Sequence, residues 1–468
     1  LVSAGRSFVR KGRSVGSPAL LLRLALRCGG VRVILLAIMH ILDELEARGF
    51  IKEMTDPDGL RARMDEGQVT FYCGYDPTNT SLTAGNLVAI MLQAFLQRAG
   101  HRPLVILGGG TSLIGDPSGK QSTRKVLTPE QIHKNLASQR PQFGRFLALR
   151  DLGSEKDNAG ELIDNASWLK ELNYIEFLRD VGAHFSVNEM VTAETYARRL
   201  REQQHLSFVE FNYRLVQAYD FLHLHQEFDC ELQVGGSDQW GNCVAGTELI
   251  RKKSGGKAWV LTTPLLTTAD GNKMGKSEKG AVWLDANQTS VFDYFQFWMN
   301  CDDRDVGRFL RMFTFLDLDR IAELEQLSDM DVYRAKAILA WHATALCHGE
   351  DGAGSALATS MLLFDLGRLF SWSDVAPEGQ AEPRPNIPMA SIERSLLEDG
   401  LPVYKLFAEV GLAGSGKQAK NLASQGGAYI NGVSMSDPFH KLGTADLRDD
   451  GSLLLRAGKK KYCLVTCS

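Results

Sequence analysis

Residues 68–75 form a run of β-branched and aromatic side chains, Asp76-Pro77-Thr78 breaks it, and residues 87–98 return to a helical spacing of apolar positions. A strand, a turn and a helix are predicted there. Two further apolar runs end in glycine: residues 103–107 lead into Gly108-Gly109-Gly110, and residues 231–234 into Gly235-Gly236-Ser237-Asp238. Strands alternating with helices predict an α/β fold on a parallel sheet covered on both faces. Ligands of such sheets sit at the carboxyl ends of the strands, where these glycine turns fall. Residues 290–369 carry helical periodicity with few strand signals, which predicts an α-helical domain. Residues 373–388, rich in Pro, Glu and Gly, read as linker, and a short α/β module is predicted from about residue 401.

Size and charge refine this picture. A chain of 468 residues exceeds what one core supports, so two or three domains are expected. A hydrophobic fraction of 44%, a charged fraction of 23% and a formal net charge of -4 describe an ordinary globular protein whose contacts with nucleic acid must come from local patches. One such patch is residues 401–468, where nine Lys or Arg stand against five Asp or Glu. The eight cysteines are scattered without a C-x-x-C pair, which favours free thiols in a reducing compartment over a disulfide framework or zinc site. His223 and His225 are two apart on a predicted helix and point in different directions, so no metal site is expected there. No apolar run reaches the ~18 residues of a membrane span. Residues 1–42 hold seven basic and no acidic side chains, the composition of an organellar transit peptide. A start at Met39, where an acidic amphipathic helix opens, is the favoured alternative and makes the protein cytoplasmic.

Three groups of residues could carry chemistry. Tyr213, Gln217 and Asp220 fall at i, i+4 and i+7 of a helix flanked by apolar positions, so a phenol, an amide and a carboxylate share a face that suits a small amphoteric ligand. The glycine triplet at 108–110 lets backbone approach an anion, although such a triplet is more often only a turn. Lys273 and Lys276, three apart around Met274-Gly275 and followed by Ser277, suit a phosphate-rich ligand. Residues 411–417 have the spacing of a phosphate-binding loop, but Gln418 stands where a hydroxyl should bind magnesium and no strand precedes. That stretch reads instead as the start of a basic helix, with Lys417 and Lys420 on one face, running into a strand and a tight turn that suit structured RNA.

Six segments in order, residues 72–87, 108–120, 185–188, 217–221, 235–242 and 270–277, resemble the class I tyrosyl-tRNA synthetases of bacterial and organellar type with a C-terminal S4 domain. The resemblance runs from about Met39 to the end. It implies a Rossmann-like, doubly wound catalytic domain over 39–285 with a dimer-forming insertion at about 165–201. After it come an α-helical anticodon-arm domain over 286–372, a linker over 373–400 and an S4-like RNA-binding domain over 401–468, with residues 1–38 as an N-terminal extension. The implied reaction activates L-tyrosine with ATP, accompanied by Mg²⁺, to tyrosyl-adenylate and pyrophosphate. A homodimer then transfers tyrosine to the 3′-terminal adenosine of tRNA(Tyr).

The resemblance also implies roles. Tyr72 and Asp220 hydrogen-bond the substrate phenol, Tyr213 and Gln217 hold its amino group with Asp116, and Gln239 lies near the carboxylate and α-phosphate. Asp76, Thr78 and Gly85 lie along adenosine and phosphates, and Gly236 and Asp238 belong to the ATP site, Asp238 at the ribose. Lys120 and Arg124 face the pyrophosphate side, and Lys273 and Lys276 with Ser277 stabilise the charge on the leaving group. Lys417, Lys420, Lys459, Lys460 and Lys461 face tRNA, and no protein metal ligand is implied. The chain departs from the family at the first signature, which has Thr83-Ala84-Gly85-Asn86 in place of His-x-Gly-His. A hydroxyl and an amide remain as donors, so Thr83 and Asn86 are both expected to bond phosphate oxygens. A catalytically impaired paralogue that binds RNA is the alternative, disfavoured by the matching phenol pair and lysines.

Overall fold

The structure is a computed structural model that describes residues 21–28, 31–116, 127–271, 274, 276–277, 280–458 and 461–467. It divides into two compact units, Leu1–Gly349 and Glu350–Ser468.

In the first unit β1 (Leu21–Cys28) and β2 (Val31–Ile38) pair with each other as an antiparallel ladder. Helix α1 (Ile41–Ala47), strand β3 (Glu53–Met54) and helix α2 (Pro57–Glu66) lead into β4 (Thr70–Tyr75), α3 (Leu87–Arg98), β5 (Arg102–Leu107), α4 (Pro129–Phe143) and β6 (Glu161–Asp164). Four short helices follow, α5 (Ala166–Leu169), α6 (Tyr174–Asp180), α7 (Val187–Met190) and α8 (Glu194–Arg201). Then come α9 (Phe208–Phe228), β7 (Cys230–Gly236), α10 (Trp240–Ser254), β8 (Trp259–Thr263) and the short pair β9 (Lys276–Ser277) and β10 (Gly280–Ala281). Side chains set the helix starts. Thr128 caps α4 ahead of Pro129, and Ser207 and Glu210 form a reciprocal capping box that opens α9.

The main sheet has the order β3-β8-β7-β4-β5-β6, with β3 antiparallel to β8 and every other pairing parallel. Five of the six residues of β4 are buried, as a strand covered on both faces requires. β4 pairs with β5 on one side and with β7 on the other, so chain order reverses there and leaves a crevice at the carboxyl ends of β4 and β7. Tyr72, Leu104, Ile106, Phe221 and Leu249 belong to one buried cluster under that crevice. The predicted strands at 68–75, 103–107 and 231–234 thus correspond to β4, β5 and β7. The predicted helical region holds α11 (Val291–Met299), α12 (Val306–Phe313), α13 (Leu318–Glu325) and α14 (Val332–Phe364), the last interrupted by non-helical geometry at Gly349. Among the described residues no helix is long and apolar enough to cross a membrane.

The second unit contains β11 (Met389–Ile392), α15 (Arg394–Glu398), β12 (Leu401–Pro402), α16 (Val403–Glu409), α17 (Gly416–Ser424), β13 (Ala428–Ile430), β14 (Val433–Ser434), β15 (Lys441–Leu442), β16 (Ser452–Ala457) and β17 (Lys461–Cys467). Five of its strands form one sheet in the order β11-β17-β16-β13-β14, packed on Val403, Leu406, Phe407, Ala419 and Ala423 of the helices. Asn431 and Gly432, both at positive φ, make the two-residue turn between β13 and β14. Strand β11 and helix α15 lie within residues 373–400, the linker the resemblance implied. Only Ile392 of β11 is buried, so its pairing with β17 left no apolar run to recognise.

Candidate functional site

A cavity of about 360 Å³ opens at the carboxyl ends of β4 and β7. It gathers Tyr72, Asp76, Thr78, Gly85, Asn86, Asp116, Tyr213, Gln217, Asp220, Gly236, Asp238 and Gln239 from five stretches of the chain. Thr83 is not among its lining residues. Met274, from the lysine segment, lines it as well, and its carbonyl oxygen comes within 3.7 Å of a Cβ built on Gly85. Lys276 and Ser277 are described through their backbone pairing with Ala281 and Gly280. Lys120, Arg124, Lys273, Lys459 and Lys460 lie outside the described residues.

The deepest part of the cavity is built by β4 and α9. Tyr72 is 2% exposed, its ring meets that of Phe221 edge-on at 5.2 Å, and its hydroxyl has no hydrogen-bond partner among the described residues. Asp220 is equally deep: Oδ1 accepts from Trp168 Nε1 at 2.7 Å, and Oδ2 accepts from Asn165 Nδ2 at 2.9 Å. Burial pushes the Asp220 carboxyl up to about 7, against the pull of these two donors toward the charged form. Burial also pushes the Tyr72 hydroxyl well above its ordinary value, so it is a neutral donor at any physiological pH. Gln217, one turn from Asp220 on the same face, has a buried amide oxygen with no partner among the described residues. Near the mouth, Gln239 Nε2 donates to Asp116 Oδ2 at 2.9 Å and Asn242 Nδ2 donates to Gln239 Oε1 at 3.2 Å. Unpaired buried polar atoms that converge on one cavity, here from Tyr72, Gln217 and Gln233, mark a place for a polar ligand.

The turn after β4 is held from behind by one face of α4. Asn135 Nδ2 donates to the Pro77 carbonyl at 2.7 Å, Gln139 Nε2 to that of Asn79 at 2.7 Å and Gln142 Nε2 to that of Thr80 at 3.2 Å. Gln142 Oε1 accepts from the Leu82 N–H at 3.0 Å and the Ser81 hydroxyl at 3.1 Å. Residues 82–84 also pair with the chain just past the lysine segment. The Ala84 N–H donates to the Val282 carbonyl and the Leu284 N–H to the Leu82 carbonyl, both at 2.9 Å, around an antiparallel bridge of Thr83 with Trp283. Thr83 turns inward, its N–H and hydroxyl both bonding Asn86 Oδ1 at 2.9 Å.

The glycine triplet does not cradle an anion. Its three N–H groups are spent within the protein, on the carbonyls of Tyr75 and Leu107 and on Asn165 Oδ1. A Cβ on Gly109 would stand 2.2 Å from the Asp164 carboxylate, so close packing is what requires glycine there. His223 stacks on Trp168 at 4.4 Å, and His225 Nδ1 lies 2.9 Å from the Cys230 carbonyl. In the second unit residues 411–417 run into α17 behind the Ser415 cap, with helix α16 rather than a strand before them. Lys417 is exposed, whereas the Lys420 ammonium sits over the rings of Tyr404 and Phe439 at 4.4 and 4.9 Å. Lys461 opens β17 at the surface.

Sequence reasoning missed Asn165 and Trp168, which hold Asp220, and Gln233, which is buried at the cavity with an unpaired amide oxygen. Asn165 carried a usable signal, since it directly follows the carboxyl end of a parallel strand.

A family model for class I tRNA synthetases (W and Y) matches residues 64–365, and one for the C-terminal domain of SYY-like tyrosine–tRNA ligases matches residues 383–465. The chain is 47% identical over 428 residues to the tyrosine–tRNA ligase of Desulfatibacillum aliphaticivorans, covering 91% of this chain and 98% of that one. It is 42% identical over 427 residues to that of Rickettsia felis, covering 91% and 100%. Among solved structures it is similar to a C-terminally truncated mitochondrial tyrosyl-tRNA synthetase of Aspergillus nidulans, with a TM-score of 0.62 and 31% identity over 71% of this chain and 94% of that one.

Proposed function

The chain belongs to the class I tRNA synthetases of the tryptophan and tyrosine group, and from that premise we propose that its cavity joins L-tyrosine to ATP. Its activity is tyrosine–tRNA ligation. The observation that carries the choice of amino acid is the pair at the bottom of the cavity: a buried Tyr72 hydroxyl without a partner and a buried Asp220 carboxylate aimed by two donors. A substrate phenol offers one acceptor and one donor, and that pair supplies their complements. An indole has no hydroxyl, and it would leave the buried Tyr72 proton unpaired.

In this reading Tyr213, Gln217 and Asp116 orient the amino group while Gln239 guides the carboxylate. A tyrosine carboxylate oxygen attacks the α-phosphorus of ATP, the bond to the β-phosphate oxygen breaks, and pyrophosphate leaves with Mg²⁺ that entered as part of the nucleotide substrate. A hydroxyl of the terminal adenosine of tRNA(Tyr) then attacks the carbonyl carbon, and AMP departs. Asp76, Thr78, Gly85, Gly236 and Asp238 border the nucleotide. Lys120, Arg124, Lys273, Lys276 and Ser277 are assigned to the pyrophosphate side by the family resemblance. Positioning and electrostatics suffice, without a covalent enzyme intermediate.

Residues 401–468 of the second unit are assigned to RNA binding, through Lys417, Lys420 and the lysines at 459–461. Residues 286–372 are assigned to the anticodon arm. Exposed apolar side chains on α6 and α7, Tyr174, Ile175 and Val187, support pairing with a second copy of the chain through the segment at 165–201. Seven described cysteines are free thiols, which supports a cytoplasmic place of action.

Tyrosine-dependent exchange of pyrophosphate into ATP is the direct test, together with charging of tRNA(Tyr). Lys417→Glu combined with Lys420→Glu is expected to keep exchange and lose most charging. Absence of exchange in the folded wild-type chain would sink the reading.

A further inference from the structure

At the first signature, where this chain departs from the pattern the resemblance implies, Thr83 and Asn86 form a closed local circuit. The Thr83 backbone N–H can only donate, so the Asn86 atom 2.9 Å from it must be the amide oxygen. The Thr83 hydroxyl donates to the same oxygen, also at 2.9 Å. Both lone pairs of Oδ1 are then occupied. The terminal torsion of an asparagine is broad and roughly two-fold, so an unanchored amide readily exchanges its ends. Two donors on one oxygen remove that freedom. They leave Nδ2, which has no partner among the described residues, on a side chain that lines the cavity. Facing the other way, the amide would present oxygen to an oxygen-rich ligand and repel it.

We propose that Thr83 is a positioning residue: without touching the nucleotide, it locks Asn86 so that the two amide protons face an acceptor oxygen of ATP. The two residues therefore act as one donor, and the hydroxyl at 83 is spent on its neighbour rather than on phosphate. The proposal rests on the adenylating function assigned above and refines it, since Asn86 alone of the pair contacts substrate.

The test is a double-mutant cycle on the full-length chain, read by pyrophosphate exchange and by calorimetric affinity for ATP without tyrosine. Thr83→Val keeps the shape and removes one donor, and is expected to lower kcat for exchange about tenfold while leaving KM for tyrosine unchanged. Thr83→Ser, which restores the hydroxyl, is expected to stay within about twofold of wild type. In the Asn86→Ala background, Thr83→Val is expected to add nothing, because the group it aims is gone. Equal activity of the Val and Ser variants, or full additivity of Thr83→Val with Asn86→Ala, would overturn the proposal while wild-type exchange upholds the assigned function. A wild-type chain that neither binds ATP nor exchanges would overturn both.

Discussion

Asp220 shows how one side chain couples recognition to pH. Its carboxyl titrates near 3.8 in an unfolded chain and is pushed up to about 7 in the folded one, chiefly by burial. A raised carboxyl value means that the folded state holds its proton more tightly. Asp220 therefore burdens stability least below about pH 4 and increasingly as pH rises toward 7. Binding runs the other way, because the charged carboxylate is the form that accepts the substrate's phenolic proton. Tyrosine affinity is expected to rise about tenfold between pH 6 and pH 8, and Asp220→Asn to weaken it and flatten the profile. Calorimetric titration across that range checks this, and a flat wild-type profile would contradict it. The residue itself was legible from its place on a polar helix face. Trp168 and Asn165, which keep it aimed, come from another segment, and nothing local in the sequence tied them to it.

At the scale of elements, α4 and α9 present the same pattern with different uses. On α9, residues 213, 217 and 220 face a cavity; on α4, residues 135, 139 and 142 have the same spacing but face protein backbone. Periodicity reveals a polar face. What that face meets depends on tertiary packing, so the α4 ladder went unread. The start of α9 is secured by Arg199 of α8, whose guanidinium bonds Glu210 at 3.1 Å and the His205 carbonyl at 3.3 Å. Burial works against the Glu210 charge, yet the Ser207 donors and Arg199 hold its carboxyl below the usual range. Arg199→Ala leaves that buried charge without its counter-ion and is expected to cost about 3–5 kcal/mol. Adding Glu210→Gln should recover much of the loss. Urea denaturation of the three variants measures both, and an Arg199→Ala cost within error of zero would contradict the argument.

For the whole molecule, the alternation of strands and helices made the fold class readable, and β4, β5 and β7 fall where the apolar runs predicted. Less visible were β11, with a single buried side chain, and the spent amides of the glycine triplet, because both depend on partners distant in sequence. The proposed dimer belongs to this scale too. Ile175 is 71% exposed on α6, and Ile175→Glu is expected to convert a dimer to monomers in sedimentation at micromolar concentration. Wild type and variant sedimenting alike would argue against α6 as the contact.

The pairing of residues 82–84 with 282–284 has a consequence for the birth of the protein. Its two segments are separated by about two hundred residues, and at roughly 5–20 residues per second a ribosome takes about 10–40 s to make the second after the first. During that interval Leu82 and Ala84 have emerged without their partners. The nascent chain therefore cannot assemble a working centre until its synthesis is well past halfway.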